Sequence, residues 1–183
     1  MRILRAKNHR VMPWKNGGGS TTEIAVFPSG AGIGAFDWRV SMAGVAENGA
    51  FSRFPGIDRT LAVLTGEGIA LSVEGRAPVR LTREVEPVSF PGDVATSATL
   101  IAGPILDLNV MSRRGRFTHR LTRYQAPLDI APEADVTLVL SRGQGLHIGD
   151  ALLAMDDAAL LDGPATVTPV GNAAFFVIEL WGA

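Results

Sequence analysis

Amphipathic helical periodicity is nearly absent from this chain, and that absence constrains its fold more than any other feature. Apolar residues come in short runs or alternate with polar ones, and 21 glycines and 11 prolines interrupt the runs every several residues. A helix needs an apolar stripe sustained over several turns, whereas a strand needs only a few alternating positions. Val, Ile, Leu, Thr and Phe concentrate in segments bounded by turn residues. These segments predict strands at 2–8, 22–27, 37–43, 60–65, 69–73, 78–82, 94–101, 105–112, 117–122, 136–141, 151–155, 165–169 and 173–181. So many short strands with no legible helix predict an all-β sandwich or barrel.

The chain also echoes itself. "TLAVLTGEGIALSV" at 60–73 reads like "VTLVLSRGQGLHIG" at 136–149, each a β-run leading into a glycine-rich hairpin. Each is followed by a glycine turn, "FPGDV" at 90–94 and "LDGPA" at 161–165, and then by an apolar strand, "ILDLNVM" at 105–111 and "FFVIEL" at 175–180. Repeated order of this kind predicts duplication of a unit too small to close its own sheet, for which two stacked jelly-roll barrels are the natural architecture. "PGD" in a turn before a strand is similar to the second half of a cupin motif, which implies a bicupin. The division expected is 1–115 and 116–183, the two halves exchanging strands within one compact unit. A single irregular sandwich with look-alike hairpins is the alternative.

Charge and residue type then exclude several functions. Seventeen Lys and Arg against eighteen Asp and Glu leave no net field to attract nucleic acid or an anionic membrane. The absence of cysteine removes disulfides, thiolate metal sites and thiol nucleophiles. The three histidines, His9, His119 and His147, are far apart, so the His pair of a metal-binding cupin is lacking; no metal and no cofactor are expected, and His147 reads as a turn histidine. "MRILRAKNHR" contains no apolar signal-like core, and a cytoplasmic chain is the expectation.

The most distinctive local stretch is "MPWKNGGGSTTEIAVFP" at 12–28. Its lysine precedes the glycines and a strand follows them, so neither the P-loop nor the dinucleotide fingerprint fits. What remains is a loop whose glycines permit close backbone approach and which presents Lys15 and Asn16 from a constrained base. In "DWRVSMA" and "LDLNVM" alternation separates an apolar set from a polar one that includes Arg39, Ser41, Asp107, Asn109 and Met111. "FPGIDR" places Asp58 and Arg59 at the start of a strand, where an arginine suits bidentate recognition of a carboxylate. Cations and amides facing one pocket would fit an acidic small molecule.

Taken together, "MPWKNGGGSTTEIAVFP", "FDWRVSMAGVAENGAFSRFPGIDRTLAVLTGEG", "FPGD" and "GPILDLNVMSRRG" resemble the HutD/Ves family of small bacterial bicupins. The resemblance is close over the first two-thirds of the chain and limited to length and β-character beyond. It implies a cupin-like fold without the metal-binding histidines. It also implies a link to histidine utilisation, moderated by binding an acidic intermediate such as formylglutamate or urocanate, or, for Ves members, to stress or cold response. The positions carried over are Lys15, Asn16, Arg39, Ser41, Asp58, Arg59, Asp107, Asn109 and Met111. Arg59 is expected to clamp the anion, with Arg39 or Lys15 as a second cation. The expectation is therefore a non-catalytic protein that binds a small carboxylate. The alternatives are a metal-independent isomerase or lyase with Asp107 or Asp58 as base, and a homodimer formed through free edge strands.

Overall fold

The computed structural model describes residues 1–14 and 18–183. In chain order its elements are β1 (Arg2–Leu4), a 3-10 turn (Ala6–Asn8), β2 (Arg10–Pro13), β3 (Gly19–Phe27), β4 (Trp38–Val45), β5 (Gly49–Ala50), β6 (Ile57–Thr65), β7 (Ile69–Val73), β8 (Val79–Leu81), β9 (Val88–Pro91) and β10 (Thr96–Leu100). They continue with β11 (Ile105–Arg113), β12 (Phe117–Tyr124), β13 (Leu128–Ile130), β14 (Val136–Ser141), β15 (Leu146–Ile148), β16 (Ala151–Leu153), β17 (Ala158–Leu161), β18 (Ala165–Pro169) and β19 (Phe175–Gly182). The chain is all-β. Every segment expected to be extended contains a strand, although the first is extended only over 2–4 before its 3-10 turn. Among the described residues no helix is long and apolar enough to cross a membrane.

Two units divide the chain. Residues 10–117 form the N-terminal unit; residues 1–9 and 118–183 form the C-terminal unit. A division at 115/116 assigns the first nine residues to the N-terminal half, but they lie with the C-terminal one. β1 pairs with β17, setting Leu4 against Ala158, and Asp157 fastens the segment that follows. Its carboxylate accepts from Arg5 Nη1 and from the Ala6 backbone N–H, both at 2.7 Å.

Within the N-terminal unit a six-stranded sheet, β2-β3-β4-β11-β6-β9, faces a four-stranded sheet, β5-β10-β7-β8. The C-terminal unit has a five-stranded sheet, β1-β17-β14-β19-β12, and a four-stranded sheet, β13-β18-β15-β16. The order β11-β6-β9 recurs as β19-β14-β17, and β5-β10-β7-β8 recurs as β13-β18-β15-β16. The sequence echo is therefore a repeat of strand order, and each copy is a two-sheet sandwich.

The cores repeat as well. Leu61, Val63, Ile69, Leu71, Leu81, Phe90 and Ala98 fill the space between the first pair of sheets, and Val139, Leu146, Ile148, Leu153, Ala159, Val167 and Val177 that between the second. Each large apolar side chain removed from water this way contributes about 1.5–3 kcal/mol. Both faces of β4 are buried, Trp38, Val40 and Met42 on one and Arg39, Ser41 and Ala43 on the other. Two buried polar positions on one face of a strand, Arg39 and Ser41, need partners inside the sandwich, and those partners define the site.

Candidate functional site

β4, β11 and β6 lie side by side, and their register lines up the polar residues. Met111 sits between Arg39 and Arg59, Asn109 is opposite Ser41 and Leu61, and Asp107 is opposite Ala43 and Val63. Alternate residues of a strand share a face. All nine therefore share the face turned into the sandwich, where the apolar core that includes Leu61 and Val63 adjoins a cavity of about 600 Å³. The ladder between β11 and β6 shifts register between Leu106 and Asp107. Such bulges re-aim a side chain where pairing is interrupted.

Arg59 lines the cavity. It is only 8% exposed, and its Nε donates to Asn109 Oδ1 at 2.7 Å. Its guanidinium lies 4.5 Å from the centroid of the Phe51 ring and 5.6 Å from that of Phe90. Ring faces attract a desolvated cation and hold the planar group flat. Only Nε is engaged by a described residue; the terminal Nη1 and Nη2 have no protein acceptor there, although the side chain lines the cavity. Burial lowers the Arg59 pKa to about 10, with Asp107 opposing the shift and Arg39 adding to it, so the group stays cationic at neutral pH.

Arg39 has a different role. Its Nε donates to Glu23 Oε2 on β3 at 2.7 Å, in a pair whose side chains are 4% and 13% exposed. A buried guanidinium that has a carboxylate partner is a neutralised one. Arg39, expected with Lys15 as a candidate second cation, is therefore already paired, and its partner Glu23 was not among the expected site residues.

Asp107 is 1% exposed and accepts from Asn109 Nδ2 at 2.5 Å. Arg59, Asn109 and Asp107 thus form a relay in which one side-chain amide separates cation from acid. Burial pushes the Asp107 carboxyl up to about 7, an effect that the Arg59 charge and the Asn109 hydrogen bond oppose without cancelling. Ser41 and Met111 complete the polar row, both buried and lining the cavity.

The opposite wall is apolar and comes from loops: Trp14, Ile33, Phe51 and Phe54. Trp14 is held by a hydrogen bond from Nε1 to Thr21 Oγ1 at 2.8 Å. The glycine run explains part of this wall. A Cβ on Gly19 would stand 2.1 Å from the Gly44 carbonyl oxygen and 3.1 Å from the Trp14 ring, so that position requires glycine for close strand approach. Lys15 and Asn16 lie outside the described residues.

Asp58 does not join the others. Adjacent to Arg59 on one strand, it projects from the opposite face, half exposed, and accepts from Arg114 Nε at 2.7 Å; Arg114 also clamps Asp93. Among the described residues no group of three or more His, Asp or Glu is placed to hold a metal ion, and no histidine lines the cavity. Two guanidinium groups beside the buried Asp107 carboxyl do not fit a cupin-type metal centre.

This fold and cavity place the chain among cupin-like β-proteins. The cupin 2 conserved barrel domain protein from Leptotrichia buccalis aligns with a TM-score of 0.56 over 87% of each chain, at 10% identity, a likeness of fold alone. The chain belongs to the HutD family, whose model matches residues 6–177. It is similar to HutD from Pseudomonas fluorescens SBW25, with a TM-score of 0.88 and 34% identity over 100% of this chain and 98% of that one. A 21.2 kDa Pseudomonas putida protein in the hutC 3' region is 34% identical over 82% of this chain and 78% of its own. Protein Ves of Citrobacter koseri is 36% identical over the same shares.

Proposed function

We propose that the N-terminal unit binds a small carboxylate without turning it over, and that the protein moderates histidine utilisation by holding an acidic intermediate such as formylglutamate or urocanate. One observation carries this reading: the buried Arg59 is fixed by Asn109 and Phe51 yet keeps two terminal nitrogens without a described protein acceptor, beside a cavity of about 600 Å³. A planar fork with two parallel N–H donors matches a carboxylate. The apolar wall of Trp14, Phe51 and Phe54 suits the rest of a compact organic acid. Membership of the HutD family, and the hutC-region position of the Pseudomonas putida relative, support the link to histidine utilisation. The repeated strand order supports a bicupin, two jelly-roll units from one duplicated ancestor.

A metal-independent isomerase or lyase is the second reading, and Asp107 favours it. A buried carboxyl near neutrality, one amide away from a cation, has the features of a general acid or base. The two readings separate on turnover. A thermal-shift screen with formate, formylglutamate, urocanate and their uncharged amide analogues tests the first, because binding to the folded state raises Tm. Acids that raise Tm while their amides do not, with the acid recovered unchanged after incubation, are the expected result. No shift with any acid rejects binding, and conversion of an acid to product selects the enzyme.

A further inference from the structure

We infer that Asp107 holds the incoming carboxylate by sharing one proton with it, so that filling the cavity takes up a proton from solvent. The inference rests on the carboxylate reading above and concerns the state of the other acid in the same cavity.

Geometry sets the problem. Asp107 Oδ1 accepts from Asn109 Nδ2, and Asn109 Oδ1 accepts from Arg59 Nε, so acid and cation are one amide apart, and both line the cavity. A carboxylate seated on the free end of Arg59 brings a second negative group into a space from which Asp107 is already shut off from water, at 1% exposure. Two carboxylates held close together do not both ionise; one proton is shared between them.

Charge bookkeeping within the cavity points the same way. The groups facing Asp107 are Arg59 from β6, Arg39 from β4 with its partner Glu23 on β3, and Asn109 and Met111 from its own strand. Ala98 is the contribution of β10, and Glu47, in the loop after β4, lies on the exposed rim. Because Glu23 offsets Arg39, Arg59 is, among the described residues, the cation left to face both the ligand and Asp107. With Asp107 protonated, one cation meets one anion, and the carboxyl O–H donates to the bound oxygen. Burial already holds Asp107 near its midpoint at neutral pH, so the proton is gained at small cost. Among the described lining residues Asp107 is the buried carboxyl without a salt-bridge partner.

Formate is the probe, because its carboxylate is its only functional group. Calorimetric titration at pH 8 is run in phosphate and in Tris, whose ionisation heats differ. The expected result is a heat that differs between the buffers by close to one proton per formate, and no such difference at pH 5.5 between MES and Bis-Tris, where Asp107 is already protonated. The dissociation constant rises as pH climbs above about 7, by up to about tenfold per pH unit. Asp107→Asn, which cannot take the proton, gives buffer-independent heats whatever its affinity, and Glu47→Gln keeps the wild-type difference. If Asp107→Asn does not fold, the wild-type pH profile and buffer comparison decide alone. Formate binding with equal heats in both buffers at pH 8 overturns the inference and leaves the carboxylate reading standing. No formate binding at any pH overturns both.

Discussion

Asn109 ties Arg59 to Asp107: one face of its amide accepts from Arg59 Nε at 2.7 Å and the other donates to Asp107 Oδ1 at 2.5 Å. The amide thereby fixes the plane of the guanidinium and leaves its fork directed into the cavity. Asn109→Ala removes the support without touching the cation. It should weaken carboxylate binding about tenfold and cost ~1–3 kcal/mol of stability by leaving buried polar groups unpaired. Calorimetry and urea unfolding measure the two effects; unchanged affinity would show that Arg59 positions itself.

Asp58 provides the control. Its half-exposed ion pair with Arg114 lies on the other face of β6. Exposed pairs contribute about 0–1 kcal/mol. Asp58→Asn should therefore leave formate and formylglutamate affinity within about twofold of wild type, a ratio below ~0.5 kcal/mol. A tenfold loss would place Asp58 back in the site.

Glu23 should act on specificity. Glu23→Gln strips the buried Arg39 of its counter-charge, which lowers stability by up to about 3–5 kcal/mol. The same change leaves a second unbalanced cation in the cavity, so affinity for acids, and for diacids above all, should rise while Tm falls. Parallel thermal unfolding and titration of mono- and dicarboxylates read both. A fall in affinity together with stability would mean that Glu23 contacts the ligand side of the cavity as a structural acceptor.

Asp107 should leave a signature in the pH dependence of stability. Its folded pKa, about 7, lies above the ordinary carboxyl value, so between about pH 4 and 7 the folded state binds more protons at this site than the unfolded state does. The sign follows: this group's contribution to stability declines as pH rises from 4 to 7 and is constant above. Its cost at pH 8 is on the order of a few kcal/mol. Relative to wild type, Asp107→Asn should gain stability steadily from pH 4 to 7. Urea unfolding across that range measures the difference, and parallel pH curves for the two proteins would contradict the raised value.

Much of the fold was legible because strands of five or more residues carry their alternation openly, and because the look-alike blocks at 60–73 and 136–149 share the same order of run and turn. The strands that escaped, β2, β5, β9, β13, β15 and β17, are two to four residues long, too short for any period to register. The polar row was legible for the same reason: Arg39 and Ser41, and Asp107, Asn109 and Met111, sit at alternate positions of strands that are otherwise apolar. Asp58 was misplaced although the signal was available, since neighbours on one strand cannot share a face with Arg59. Glu23 was hidden by a bulge between it and Ala25, which breaks the simple alternation of β3. Phe51 comes from a loop with no period at all, and only the tertiary structure brings its ring under Arg59.

Arg59 as the anchor for a carboxylate is the central claim, and its most direct test is the affinity of wild type and Arg59→Lys for formate, formylglutamate and urocanate by calorimetric titration. Lysine keeps the charge but loses the planar fork and the stacking on Phe51. The account predicts one acid bound per chain in the wild type and a loss of about tenfold to a hundredfold in Arg59→Lys, equivalent to ~1.5–3 kcal/mol. Equal affinity in the two proteins, or no acid bound by the wild type, would contradict it.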